Sequence, residues 1–246
     1  MGITKRLNIV KFVNKTNMQF TQNIKVAVDA VVYGYSNNKL QILLIQQKFG
    51  IEKNKWALPG GFVKDNETLD QAVIRELKEE MGVEVNYLEQ LYSFGEIDRD
   101  KRERVISIAY LALINPENVI LKAATDTKDA KWFDVHTIPD LAFDHNEIVK
   151  TGMTRLQNKI NYQPIGFELL NKEFPFSEIE NLYQTLLNKK IDRRNFRKKI
   201  MSFGILEDTG KIYKPSNGRP AKMFRFNHAK YKEFESKGFH FEIRFA

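Results

Sequence analysis

Residues 61–83 read GFVKDNETLDQAVIRELKEEMGV and fill every constrained position of the pattern G-x5-E-x7-R-E-U-x-E-E-x-G-U, with U aliphatic: Gly61, Glu67, Arg75, Glu76, Leu77, Glu79, Glu80, Gly82 and Val83. So many coincidences in so short a stretch rarely arise by chance. Helical spacing over 68–81 puts Leu69, Ala72, Val73 and Leu77 on one face, and Gly82 supplies the stop. On that helix Glu76, Glu79 and Glu80 stand at i, i+3 and i+4, so three carboxylates crowd one side and repel one another. A hard divalent cation such as Mg²⁺ or Mn²⁺ removes the repulsion, takes oxygen ligands and bridges to phosphates. Gly61 permits a tight turn whose carbonyl can face the same metal. Glu67 and Arg75 are expected to pair, because a guanidinium forks onto a carboxylate in a fixed geometry and would brace the loop against the helix. A merely solvated acidic face accounts for one or two glutamates but not for the whole box.

Outward from the box, KVAVDAVVYGY and LQILLIQQ read as two strands around the turn-rich Ser36-Asn37-Asn38-Lys39, which predicts a hairpin over 24–47. A short strand is expected at 56–63, further strands at 83–96, 105–114 and 130–135, and a helix at 144–160. The order is mixed α and β around a sheet. The second unit begins near Tyr162. Its first helix is expected to start at Ser177, an N-cap candidate with Glu180 three residues on. Its second is expected from Asp192 through RRNFRKKIMSF to a stop at Gly204, with ILEDTGKIYK and AKMFRF as strands joined by PSNGRP.

At 246 residues the chain suits two domains, and the expected limits are a leader over 1–22, a first domain over 23–160 and a second over 161–246. The leader lacks an apolar signal region, Met18 is an alternative start, and Arg6 stands where a myristoylation signal wants Ser or Thr. There is no cysteine, which excludes disulfides and thiolate metal sites and fits a reducing, cytoplasmic setting. Apolar runs such as 26–33 and 106–114 are of strand length, well short of the ~20 residues that span a bilayer, so no membrane partner is expected.

The net charge of +8 is unevenly placed. Residues 1–160 carry 22 Lys+Arg against 21 Asp+Glu, whereas 161–246 carry 17 against 10. A cationic module joined to a near-neutral one is the footprint of polyanion binding. Within RRNFRKKIMSF the spacing of Phe196, Ile200 and Phe203 turns them inward and leaves Arg193, Arg194, Arg197 and Lys198 outward. After a first helix this is what a helix-turn-helix reading helix requires, and the hairpin tipped by Lys214, Asn217, Gly218, Arg219 and Lys222 has the size and charge of a wing. Arg219 is placed to enter a minor groove.

The box resembles that of the Nudix hydrolases. The resemblance implies an α/β/α sandwich around a mixed sheet, metal ligation or water activation by Glu76, Glu79 and Glu80, with Arg75 and Glu67 in support, and Mg²⁺ or Mn²⁺ as cofactor. The flanking LPGGFV, FGEIDRDKRERVISIAYLALI, AKWFDV and LAFDH are similar to the ADP-ribose-handling branch and to regulators derived from it. Glu96, Asp98, Arg99 and Arg102 lie there on a loop between strands and are candidate ligand contacts, while Trp56, Trp132 and His145 are expected to pack. The stretches PIGFELL, FPFSEIENLYQTLLNKKIDRRNFRKKI and NGRPAKMFRF resemble the C-terminal winged helix of Nudix-related transcriptional regulators, of both the NAD-metabolite-sensing and the arabinose-responsive type.

The fold class expected is therefore α+β, a Nudix sandwich followed by a winged helix-turn-helix. The function implied is a transcriptional regulator that binds operator DNA as a homodimer and senses ADP-ribose, another NAD-related nucleotide or a pentose. The competing expectation is a Mg²⁺-dependent ADP-ribose pyrophosphatase. Many such regulators have a degenerate box, whereas this box is intact, so hydrolysis is expected to be weak or absent rather than excluded.

Overall fold

The hairpin that opens the sheet is made by β1 (Lys25–Ser36) and β2 (Lys39–Gln47), which pair antiparallel across Asn37 and Asn38. Both turn residues have positive φ, 52° and 58°, a conformation asparagine tolerates. The computed structural model describes residues 22–82, 85, 87–119, 121, 127–214, 218–238 and 241–243, and leaves aside the side chains of Glu80 and Met81. The expected leader over 1–22 therefore falls almost wholly outside the described residues.

β1 is the centre of a mixed seven-stranded sheet that includes β3 (Trp56–Ala57), β4 (Gly60–Phe62), β5 (Tyr87–Phe94), β6 (Val105–Ile114) and β7 (Thr127–Asp134). It pairs parallel with β6 along ten residues and antiparallel with β2 and β4, while β5 closes the far edge against β6. Parallel central strands are buried on both faces, and β1 is buried from Val28 to Tyr35.

The period-two alternation along β1 sorts its side chains between two layers. Val28, Ala30 and Val32 join Ala72, Val73 and Leu77 of α1 (Leu69–Met81). Val31, Tyr33 and Tyr35 face the opposite way, toward Ile148, Val149 and Leu156 of α2 (His145–Lys159). The expected α/β/α sandwich is present. Gly152 lets α2 lie close on the sheet, since a Cβ there would stand 3.1 Å from the Val31 side chain. Asp29 belongs to the same row as Val31 and so sits beneath the start of α2.

The second unit comprises β8 (Phe174–Pro175), α3 (Phe176–Leu187), α4 (Arg193–Ser202), β9 (Leu206–Tyr213), β10 (Ala221–Phe226) and α5 (His228–Ser236), with its strands in the order β8-β10-β9. Asp192 caps α4 as expected, accepting from the Asn195 amide at 3.0 Å, and Gly204 turns the chain at φ 65°. The start of α3 differs from expectation. The helix begins at Phe176 behind Pro175, with no side-chain cap, because Phe176 is buried against Phe196 and Phe224 and sets the entry. Ser177 lies inside the first turn, and Glu180 is buried toward Arg193 rather than folded back on an amide. The sequence reading did not foresee α5, although Asn227 caps it, because no residue of that helix is fully buried and its apolar stripe is faint.

The two units share one core. The cluster under α2 continues without a break through Ile165, Phe167, Phe174, Ile179, Tyr183 and Phe196. Polar ties cross as well: Gln157 Nε2 donates to the Leu186 carbonyl at 3.1 Å, Asn181 Nδ2 to Asn38 Oδ1 at 3.1 Å, and Thr185 Oγ1 to the Asn38 carbonyl at 3.3 Å. The Ile243 amide donates to the Asn161 carbonyl at 2.9 Å, just beyond α2. None of the described helices is long and apolar enough to cross a membrane.

Candidate functional site

The box is held by its helix ends. Thr68 caps α1, accepting from the Gln71 amide at 3.2 Å while Gln71 Oε1 accepts from the Thr68 amide at 2.8 Å, and Gly82 ends the helix at φ 68°. The last box residue, Val83, lies outside the described residues. Arg75 is the hub. Its Nε and Nη2 fork onto Glu67 at 2.8 and 2.6 Å, Nη2 also reaches the Phe62 carbonyl, and Nη1 bridges Glu76 at 2.6 Å and Glu79 at 3.3 Å. The expected ion pair is thus formed. Arg75 hydrogen bonds, with help from the Lys64 amide, hold the Glu67 carboxyl down at about 2. Gly61 is packed so closely on the Glu76 carboxylate that a Cβ would collide with it.

These donors are carboxylate oxygens beside a glycine backbone, the chemistry a hard divalent ion selects. A metal would share Glu76 and Glu79 with the Arg75 guanidinium, which supplies their counter-charge here. The third box carboxylate, Glu80, has its side chain outside the described residues. Among the described residues no group of three or more His, Asp or Glu side chains is arranged to hold a metal ion.

Beside the box, a cavity of about 200 Å³ opens between β1, β4, the 48–55 loop and the start of α2. Its floor is a polar network that only tertiary structure assembles. Arg99 forks onto Asp144 at 2.9 and 2.6 Å and reaches Asp29 at 3.4 Å; Asp29 also accepts from Ser107 Oγ. Burial would lower the Arg99 pKa, but the Asp144 hydrogen bonds and the Asp29 charge outweigh it, so the guanidinium stays charged. His145 Nδ1 accepts from the Leu58 amide at 2.9 Å, which leaves the proton on Nε2, 3.6 Å from Asp29. Burial depresses the His145 pKa, against the opposing pull of Asp29 and Asp144, and the ring is neutral. Arg102 is gripped by Asp100 at 2.7 and 3.0 Å and lies 5.7 Å from the Phe143 ring centre.

The structure therefore brings Arg99 and Arg102 to the cavity and leaves Glu96 and Asp98 exposed, outside its lining. His145 lines the cavity as well as packing. Asp29, Ser107, Asp144, Phe49 and Phe143 were not singled out from sequence. A lone acid inside the apolar run KVAVDAVVYGY was the available signal, because a buried charge needs a partner.

On the second unit, Arg193, Arg194 and Lys198 project from α4 into solvent over a base of buried Phe196 and Ile200. Arg197, also exposed, lies 4.4 Å from the Phe176 ring centre, so it packs on the fold as well as facing outward. Arg219 is exposed on the wing, Lys222 is paired with Asp208 at 2.7 Å, and the wing tip at 215–217, Asn217 included, lies outside the described residues. A larger cleft of about 670 Å³ separates α4 from Glu242 and Ile243. Its lysines lie along α4 and just before it, and its lining holds no arginine, whereas the smaller cavity has the buried Arg99 network beside the box and is therefore the better small-molecule site.

Two family profiles match the chain, one described as the NUDIX domain over residues 24–152 and one as the NrtR DNA-binding winged helix domain over residues 166–226. The chain is also 32% identical over 205 residues to the ADPR responsive transcriptional repressor NtrR of Acinetobacter baylyi, spanning 82% of this chain and 81% of that protein. The chain belongs to the NrtR-type family of Nudix regulators. The Shewanella oneidensis NrtR, solved in complex with a 27mer DNA, superposes with a TM-score of 0.77 at 29% identity, covering 89% of this chain and 99% of that one. Its NUDIX domain, solved in complex with ADP ribose, superposes with a TM-score of 0.51 at 30% identity over 61% of this chain and 99% of that one. The ADP-ribose pyrophosphatase of Methanocaldococcus jannaschii is 45% identical over 129 residues, 52% of this chain and 72% of that protein. As an NrtR-type regulator, the chain joins a Nudix sandwich to a DNA-binding winged helix, and its box and its cationic helix belong to different halves of one regulatory molecule.

Proposed function

We propose that this NrtR-type chain is a transcriptional repressor whose cavity beside the box takes ADP-ribose and whose α4 and wing hold operator DNA. The observation that carries the reading is the pairing, within one continuous core, of a cavity with two arginines beside the box and a cationic helix. Arg99 offers a fixed charge at the cavity floor, while Arg102, closer to the mouth, suits a diphosphate. The names of the A. baylyi and S. oneidensis relatives point the same way. The division near residue 160 is the working boundary between sensing and reading. A homodimer with two-fold symmetry suits palindromic half-sites. The test is operator binding on duplexes taken from upstream of neighbouring genes, titrated with ADP-ribose, NAD and pentoses. Release by ADP-ribose alone supports the proposal; no response to any of them overturns it.

A second reading, residual hydrolysis, is favoured by the complete box and by the M. jannaschii relative. A bound Mg²⁺ or Mn²⁺ would supply charge stabilisation on the phosphates. Gly61, Glu76 and Glu79, with Glu80, would hold it, and Arg75 would keep Glu76 and Glu79 in place. A repressor that destroyed its own signal quickly would respond poorly, so turnover is expected well below the enzymatic range of ~1 to 10³ per second. Brisk metal-dependent hydrolysis that collapses in Glu79→Gln would make the chain primarily an enzyme.

A further inference from the structure

Glu180, on α3, is the one buried charged side chain among the described residues of the second unit. An acid taken out of water costs free energy unless cations or hydrogen-bond donors compensate it. Here the compensation comes from α4. Arg193 Nε stands 3.9 Å from Glu180 Oε2, and while burial pushes the Glu180 carboxyl up, the Arg193 and Arg197 charges pull it back. The two arginines are four residues apart, so they share one face of the helix. The Arg193 side chain is 69% exposed above a carboxylate that is only 12% exposed, so it can be held from beneath and still face a partner. Arg197 is seated on rings as well, 4.4 Å from the centre of Phe176 and 5.8 Å from that of Phe224.

We infer that Glu180 is a positioning residue that sets DNA specificity: from beneath α4 it holds Arg193 and Arg197 in one arrangement, which favours operator over arbitrary sequence. This rests on the operator-binding reading. Sequence-independent binding is almost wholly electrostatic and accepts a cation in any placement that reaches a phosphate. A negative charge fixed under two such cations weakens that binding, because it cancels part of their field and keeps the side chains from following the backbone. A base edge accepts a guanidinium only in a defined geometry. For that contact a pre-set arrangement is a gain, since less side-chain freedom is lost on binding. Glu180 is buried, so it acts through the two arginines.

The experiment compares binding of the full chain at pH 8 to the upstream duplex it holds most tightly and to a random duplex of equal length, at several salt concentrations. The proteins are wild type, Glu180→Gln, Glu180→Met, the double variant Arg193→Ala with Arg197→Ala, and that double variant carrying Glu180→Gln; Tm is recorded for each. Gln and Met both remove the charge at similar length, so the test survives if one of them folds poorly. Expected in Glu180→Gln are tighter binding and a steeper salt slope on the random duplex, a preference for operator reduced about five-fold or more, and a Tm no lower than wild type. In the arginine double variant the same substitution should leave the preference unchanged. A preference within about two-fold of wild type in Glu180→Gln and Glu180→Met overturns the inference. So does a loss of preference that persists without the two arginines, which would make Glu180 a general charge, and so does weaker binding to both duplexes in step with a lowered Tm. A wild type that prefers no upstream duplex over random DNA removes the operator reading itself, a separate result.

Discussion

Arg75 spends its whole guanidinium on Glu67, Glu76, Glu79 and the Phe62 carbonyl, so the box is an electrostatic unit before any metal arrives. The sign of its pH dependence follows from Glu67. A carboxylate held at about 2, below its ordinary value near 4.3, adds stability that is present above the ordinary value and lost as pH falls toward 2. Melting curves should show Glu67→Gln less stable than wild type from pH 8 to 5, with the gap in Tm narrowing as pH is lowered toward 3. A gap that widened on acidification would contradict the pairing. His145 acts in the same direction but over a higher pH range. Its pKa is depressed by burial, so the unfolded chain takes up the proton first and stability falls as pH drops below about 6.5, by at most about 1.4 kcal/mol per pH unit. Urea midpoints at pH 7.5, 6.5 and 5.5 should show that slope flattened in His145→Gln. Tyr183 is a different case: its ring packs on Phe196, and its buried hydroxyl has no hydrogen-bond partner among the described residues. Removing an unsatisfied buried hydroxyl relieves a desolvation penalty, so Tyr183→Phe is expected to raise stability by about 1 kcal/mol in denaturant titration.

Elements differ in how much of themselves they announce. Helix α1 is written locally: Thr68 begins it, Gly82 ends it, and the buried face repeats at helical spacing, so the box could be placed on it from sequence. The hairpin turn and α4 are likewise local, resting on two asparagines and on Asp192. The start of α3 is not local, since burial of Phe176 overrides the better capping chemistry of Ser177. Nor is the cavity, whose floor joins Asp29, Arg99, Ser107 and Asp144 from four separate parts of the chain. Spacing within a sequence carries no information about such a meeting. Helix α4 also yields a graded expectation. Arg193→Ala, Arg194→Ala and Arg219→Ala should each weaken operator binding by about 1 to 3 kcal/mol if a base edge is contacted, or lower the salt slope if a phosphate is. Arg197→Ala should do so while also lowering Tm, because that side chain packs on Phe176. Gel shifts at three salt concentrations, alongside melts, separate the two outcomes.

At the scale of the molecule, α2 is the member common to both halves. Its first residues, with the Asp144 cap, grip Arg99 and line the cavity. Fifteen residues on, about 22 Å at 1.5 Å per residue, its far end meets the Leu186 carbonyl and the Ile243 amide. A ligand that shifts the start of α2 is therefore felt at the winged helix, and a coupling of about 1 to 3 kcal/mol between ADP-ribose and operator is expected, read as the change in operator affinity at saturating ligand.

The unbroken core that runs from Val31 to Phe196 also makes the two halves a single cooperative unit. Backbone amides at the centre of α4, remote from the cavity, then exchange with solvent only when the whole chain opens. Ligand at a hundred times its Kd deepens the native state by about 2.7 kcal/mol. Hydrogen exchange at Phe196 and Ile200 should accordingly slow by about two orders of magnitude on adding ADP-ribose, so that the cationic helix of the second unit records the occupancy of a pocket it never touches.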